Sequence, residues 1–228
     1  MARIRIDLAY DGGDFCGWQL QKEDASVQGA LEEALQRLTG EAVRVIGSGR
    51  TDSGVHARAQ TAHFESASSV PPEKYTPALN SILPRGIRIL RSGAVEEDFH
   101  ARFSALRRWY RYLLLPGMPP GPFDSRYALA LRRRPDPRRL NSLASTLVGT
   151  HDFTTFAAAG DPSESKVRRI DSALFYPRGE YLLFQISGTA FLWRMVRSLV
   201  GTLLEMEERK EGPAALAAEI AAADRSRA

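Results

Sequence analysis

Residues 47–54 read Gly-Ser-Gly-Arg-Thr-Asp-Ser-Gly, a loop that presents Arg50 and Asp52 with Ser48, Thr51 and Ser53 around them. Glycine at positions 47, 49 and 54 allows positive φ or close approach of the backbone to a ligand. Spacing removes several chemistries. A phosphate-binding P-loop needs a Gly-Lys-Ser/Thr triplet, and the loop holds no lysine. A nucleophile elbow needs glycine two residues before its serine, where Ser53 has Thr51. His56 and His63 have no paired carboxylate motif, so no metal is expected. The single cysteine, Cys16, excludes an internal disulfide and a Cys-rich zinc site. Two readings stay open. One is a tight turn in which Asp52 caps neighbouring backbone amides. The other is a carboxylate acting as nucleophile or electrostatic stabiliser. A hydrolase pairing Asp52 with His56 would be a further case, but it lacks a metal site, a second carboxylate and an elbow.

The elements that must position this loop are read from periodicity. Alternation over residues 3–10, with Ile4, Ile6 and Leu8 on one face, predicts a strand. Ser26 is the expected N-cap of a helix carrying Val27, Leu31, Ala34, Leu35 and Leu38, closed by Gly40. Strands are expected at 43–46, 59–64, 87–90 and 106–115, with a helix between Pro72 and Leu83. In the 106–115 strand Trp109, Arg111 and Leu113 share one face, and Arg108, Tyr110, Tyr112 and Leu114 the other. Residues 116–123 are the most linker-like stretch. A helix with Leu140, Leu143 and Leu147, a hairpin of 167–176 and 181–187, an apolar helical stripe from Phe191 to Leu204 and an alanine-rich helix over 214–223 follow. Interleaved helices and strands without strict βαβ repetition indicate an α+β protein in two halves, joined near residues 105–125. Residues 12–15 and 149–153 hint at pseudo-symmetry between the halves.

Composition is that of a globular chain, with 43% hydrophobic and 25% charged residues over 228 positions. No apolar run reaches transmembrane length, and the N-terminus lacks the apolar block of a signal peptide, so a cytoplasmic protein is expected. The net charge is +4. Lysine occurs only at 22, 74, 166 and 210, so arginine supplies nearly all of the 31 basic residues. Arginine suits bidentate phosphate contacts and base stacking, although a GC-rich genome produces the same bias. Clusters carry more weight than totals: Arg107-Arg108, Arg132 to Arg134, Arg138-Arg139 and Arg168-Arg169, of which Arg107, Arg108, Arg132, Arg133 and Arg134, together with Arg58, are the candidate RNA contacts.

The segment from Gly47 to Phe64, with Gly-Arg-Thr-Asp-Ser-Gly-Val-His at its centre, resembles the signature of the tRNA pseudouridine synthase A family. Further segments resemble other family blocks in the same order: Tyr10 to Gln19, Ser26-Val27-Gln28-Gly29, Asp98 to Ala105 with Tyr110-Arg111-Tyr112, His151-Asp152-Phe153, and Phe191 to Arg197. The resemblance implies two similar α/β sandwich-like domains, here 1–105 and 106–228, whose antiparallel sheets merge into one larger mixed sheet. It implies isomerisation of uridine to pseudouridine just 3′ of the anticodon, in the anticodon stem-loop of tRNA, by a homodimer and without a cofactor. Asp52 then stands as the catalytic residue and Arg197 as the cation beside it. Tyr110 is the ring that stacks on uracil, and Arg50 the residue approaching the flipped nucleotide. His56, His63 and His100 are expected to hold the loop or contact backbone, and Phe15 and Trp18 to be core. Family members continue into a final strand bearing a Gly-Leu pair, and this chain is expected to lack it, since it stops at Ala228. The principal alternative is a non-catalytic RNA-binding module.

Overall fold

The structure, a computed structural model, describes residues 1–21 and 24–227. Lys22 and Ala228, named above, lie outside the described residues. The chain divides into two compact units, Met1–Leu106 and Arg107–Ala228. Each is α+β, as expected.

In the first unit, strands β1 (Ala2–Tyr10), β2 (Ile46–Gly47), β3 (Ala57–Ser66) and β4 (Ile87–Val95) form a sheet of order β2-β3-β1-β4. The central strand, β1, pairs antiparallel with both β3 and β4. Its Ile4, Ile6, Leu8 and Tyr10 are buried with Val27, Leu31 and Leu35 of helix α1 (Val27–Thr39) and Tyr75 and Leu79 of α2 (Tyr75–Ile82). α1 begins and ends where its residues dictate. The Ser26 side chain accepts the Gly29 N–H at 3.1 Å, and Gly40 closes the helix at φ 77°. The strand expected at 43–46 is reduced to Ile46–Gly47. Val45 instead donates its N–H to the Glu32 carboxylate of α1 at 2.9 Å, so a side chain takes the bond a sheet neighbour would have taken.

The second unit has order β6-β5-β9-β8-β7, with β5 (Arg108–Pro116), β6 (Leu129–Leu131), β7 (Gly149–Asp152), β8 (Val167–Arg178) and β9 (Tyr181–Gly188). β5 and β6 run parallel, and the other pairs antiparallel. Helices α3 (Pro137–Ala144), α4 (Met195–Glu208) and α5 (Pro213–Ala222) bury Leu140, Leu199, Leu203 and Leu216 against Leu114, Phe175, Phe184 and Ile186. The 116–123 stretch joins β5 to β6 within this unit. Two expectations need correction. The apolar stripe becomes helical only at Met195, because Arg194 adopts a left-handed φ of 56° that breaks the repeat. The suggested pseudo-symmetry fails locally: residues 12–14 form a 3-10 turn, whereas 149–152 are an edge strand. Among the described residues no helix is long and apolar enough to cross a membrane.

Candidate active site

The Asp52 loop projects from the end of the β2–β3 pair. Ladder contacts Ile46–His63 and Gly47–Ala62 are extended by Ser48 N–H to the Thr61 carbonyl at 2.8 Å. Residues beyond Ser48 then leave the sheet, and the chain returns at Ala57.

What holds this loop is the segment after β1. Trp18 N–H donates to the Thr51 carbonyl at 3.0 Å, and Gly54 N–H to the Phe15 carbonyl at 3.3 Å. The turn itself closes through Val55 N–H to the Asp52 carbonyl at 3.1 Å. Three glycines make the approach possible. A side chain at Gly12 would collide with the Val55 carbonyl. A Cβ at Gly17, whose φ is +97°, would lie 2.6 Å from the Thr51 oxygen. At Gly47 it would lie 2.6 Å from the Trp18 ring. The N-terminal segment is thus the cradle of the acid-bearing loop, and its glycines serve backbone-to-backbone packing rather than a ligand.

Side chains complete the cradle. Buried Tyr10 shares a 2.9 Å hydroxyl contact with Thr51, next to Asp52. Buried Gln60 donates to the Gly49 carbonyl at 2.8 Å and accepts from Ser48 Oγ at 3.1 Å, steadying the stretch before Arg50. Neither was singled out from sequence. Both stand within family-like segments, but in strands where alternation marks them only as core positions. The histidines contact backbone as expected. His56 Nδ1 lies 3.1 Å from the Gly12 amide nitrogen and 2.9 Å from Asp11 Oδ1. His63 Nδ1 accepts the Ala101 N–H at 3.2 Å, and His100 Nδ1 those of Arg102 and Phe103. Burial, with His100 and Arg3 adding, holds the His63 imidazole below its ordinary value. On the same sheet Asp7 is ringed by Thr61, Arg91 and Arg5. Burial opposes its ionisation, but these partners outweigh it and keep the carboxyl below the usual range.

Asp52 itself is half-buried and Arg50 exposed. Among the described residues the Asp52 carboxylate accepts no hydrogen bond from its own loop: the turn is built from backbone groups. The amide-capping reading therefore fails. The carboxylate is held in place by its main chain, and neither of its oxygens is engaged by that network.

The other named residues lie as follows. Arg58 is exposed on β3. In the second unit Tyr110 is half-buried on β5, opposite Ile186 of β9, its ring edge-on to Phe191 at 5.0 Å and 79°. Arg197 is exposed in the first turn of α4. Arg107 pairs with Asp171 at 2.9 Å and lies over the exposed Trp109 ring, while Arg108 donates to the Thr189 carbonyl at 2.6 Å. Arg132 and Arg134 are exposed. Arg133 between them turns inward to the buried Glu207, at 2.5 Å. Among the described residues no group of three or more His, Cys, Asp or Glu side chains is placed to hold a metal ion.

A family model described as tRNA pseudouridine synthase matches residues 8–104 and 143–228. Curated relatives named tRNA pseudouridine synthase A match over nearly the whole chain. One from Treponema denticola is 46% identical, over 90% of this chain and 79% of its own length. One from Moorella thermoacetica is 41% identical, over 100% and 94%. One from Brevibacillus brevis is 43% identical, over 100% and 93%. The cradle and the carboxylate it presents occupy the segments that carry this likeness, and the chain belongs to the tRNA pseudouridine synthase family, enzymes that isomerise uridine to pseudouridine.

Proposed function

We propose that Asp52 is the essential carboxylate of this isomerisation and that the substrate is a uridine in the anticodon stem-loop of tRNA. The observation that carries the assignment is the division of labour in the loop. Backbone bonds and glycine contacts fix its path, and the carboxylate is left to the substrate. In the reaction the N1–C1′ bond breaks, the uracil turns, and C5 joins C1′. The proton on C5 leaves and N1 gains one, so atoms balance with no outside reductant or oxidant. A carboxylate serves by attack on C1′, by addition to the uracil ring or by stabilising positive charge on the ribose.

Tyr110 is assigned the aromatic face on which uracil stacks, a contact of about 1–3 kcal/mol per base. Its half-exposed ring, kept upright by Phe191, supports this. Arg197 is assigned the cation that accompanies the acid in the reaction, and Arg50 the side chain that meets the extruded nucleotide. Exposed Arg58, Arg132 and Arg134 are the better placed phosphate contacts, because the Arg133, Arg107 and Arg108 guanidiniums already serve the protein. The assembly is proposed to be a cytoplasmic homodimer, which sedimentation checks.

The experiment is tritium release from tRNA labelled at uracil C5. The intact enzyme releases label, and Asp52→Asn loses on the order of 10³-fold or more of the rate while still binding tRNA. Near-wild-type release by Asp52→Asn would end the assignment. An intact chain that binds tRNA and releases nothing would be an RNA-binding module instead.

A further inference from the structure

One carboxylate outside the residues assigned to the reaction is buried and fully engaged. The Asp161 side chain is 3% exposed. Its Oδ2 accepts the Trp193 N–H at 2.6 Å, and its Oδ1 accepts the Ser163 N–H and the Lys166 ammonium, each at 2.9 Å. Lys166 also donates to the Asp161 and Ser163 carbonyls, each at 2.8 Å. The Trp193 carbonyl in turn accepts the Ala158 N–H at 3.0 Å. Trp193 is therefore bound through both backbone groups to residues 158–161, while its ring stays exposed.

The segment so held enters its helix under strain. Arg194, the N-cap of α4, is left-handed at φ 56° and ψ 6°, and its side chain makes no capping bond. A non-glycine residue keeps that conformation only where its surroundings over-determine it. On one side of the clamp Phe191 meets the Tyr110 ring, and on the other the first turn of α4 carries Arg197.

We propose that Asp161 is a positioning residue for the isomerisation. Through the Trp193 backbone it sets the path of residues 191–197, and with it the support of the Tyr110 ring and the placement of Arg197. Lys166 holds the carboxylate in register. The proposal rests on the assignment of Tyr110 and Arg197 to the reaction. A loop brace of no catalytic consequence would change unfolding and leave the turnover of folded enzyme unaltered.

The test measures kcat and KM by C5-tritium release from tRNA for wild type, Asp161→Ala, Asp161→Asn, Arg197→Ala, Tyr110→Leu and the double variant Asp161→Ala/Arg197→Ala. Asp161→Ala is expected to lower kcat about 10- to 100-fold, the cost of a misplacement near 1 Å, with KM changing less. Asp161→Asn keeps an oxygen for the Trp193 N–H but puts an amide nitrogen where the second oxygen met Ser163 and Lys166, and is expected to recover part of the rate, no more than Lys166→Met retains. In the Arg197→Ala background the Asp161→Ala cost shrinks, because both changes act through one turn. Wild-type kcat in folded Asp161→Ala overturns the proposal, as does strict additivity in the double variant. Should Asp161→Ala fail to fold, Lys166→Met decides: a reduced kcat in folded protein supports the positioning role, and a wild-type kcat overturns it. Wild-type rates in both Arg197→Ala and Tyr110→Leu would instead overturn the underlying assignment, an outcome read independently of any Asp161 variant.

Discussion

Gly17 and Gly40 both have positive φ, at +97° and +77°, but only the first has backbone against it. The pair separates conformational strain from collision. Gly17→Ala is expected to cost about 1–3 kcal/mol of stability, measured by urea denaturation, and to lower the rate of tritium release further by pushing Thr51 and Asp52. Gly40→Ala, where a Cβ meets nothing within 4 Å, is expected to cost less and to leave the rate of folded enzyme near wild type. His63 gives a pH prediction. Its folded-state value lies below the ordinary 6.5, so in that window the unfolded chain binds a proton that the folded chain refuses. Stability is fully present above the ordinary value and is lost as pH falls toward the folded-state value. Urea midpoints taken from about pH 7.5 down to pH 5.5 should therefore fall, and His63→Asn, which still accepts the Ala101 N–H, should flatten that fall. A slope unchanged by the substitution would place the titration elsewhere.

At the scale of elements, Ser26→Ala removes the cap of α1 and is expected to cost about 1 kcal/mol, with little effect on turnover because Val27 and Gln28 N–H still bond the Gly17 and Trp18 carbonyls of the cradle, at 3.1 and 3.0 Å. Arg133→Ala is expected to destabilise by about 1–3 kcal/mol, since it strips the buried Glu207 of a donor. Arg132→Ala and Arg134→Ala should be near neutral, and equal effects across the three would contradict the inward turn of Arg133. These elements also show what could be read in advance. Local periodicity was enough for β1, α1 and the β8–β9 hairpin, because alternation and caps are written in adjacent residues. It failed where a distant partner decided. Val45 bonds Glu32 rather than a strand, three-residue β6 exists only through its parallel pairing with β5, and α4 starts late because Arg194 is held left-handed. The acid-bearing loop was legible because its motif is contiguous. Its supports, Tyr10, Gln60 and the 12–18 cradle, were not, since each acts on residues far along the chain.

For the whole molecule, binding to RNA should follow the exposed arginines rather than the total charge. Replacing Arg132 and Arg134 together is expected to weaken tRNA binding and to reduce the slope of log K against log salt by about 2, near one unit for each phosphate that no longer meets a guanidinium. Adding Arg133→Ala should change the slope little. A slope untouched by all three would remove this segment from the RNA surface.

The position of β1 sets the order in which the first unit can be assembled during synthesis. Of this sheet's strands β1 is made before the others although it lies inside the sheet, and both of its neighbours, β3 and β4, are made later. Nascent residues 2–10, with the apolar face of Ile4, Ile6 and Leu8, must therefore wait without a full ladder until residue 66 has emerged for one edge and residue 95 for the other. The 12–18 cradle waits with them, since the loop it receives belongs to the same interval. The acid-bearing loop, held by Tyr10, Phe15 and Trp18 on one side and by Gln60 and Thr61 on the other, is fully seated only once the chain has been made through residue 61.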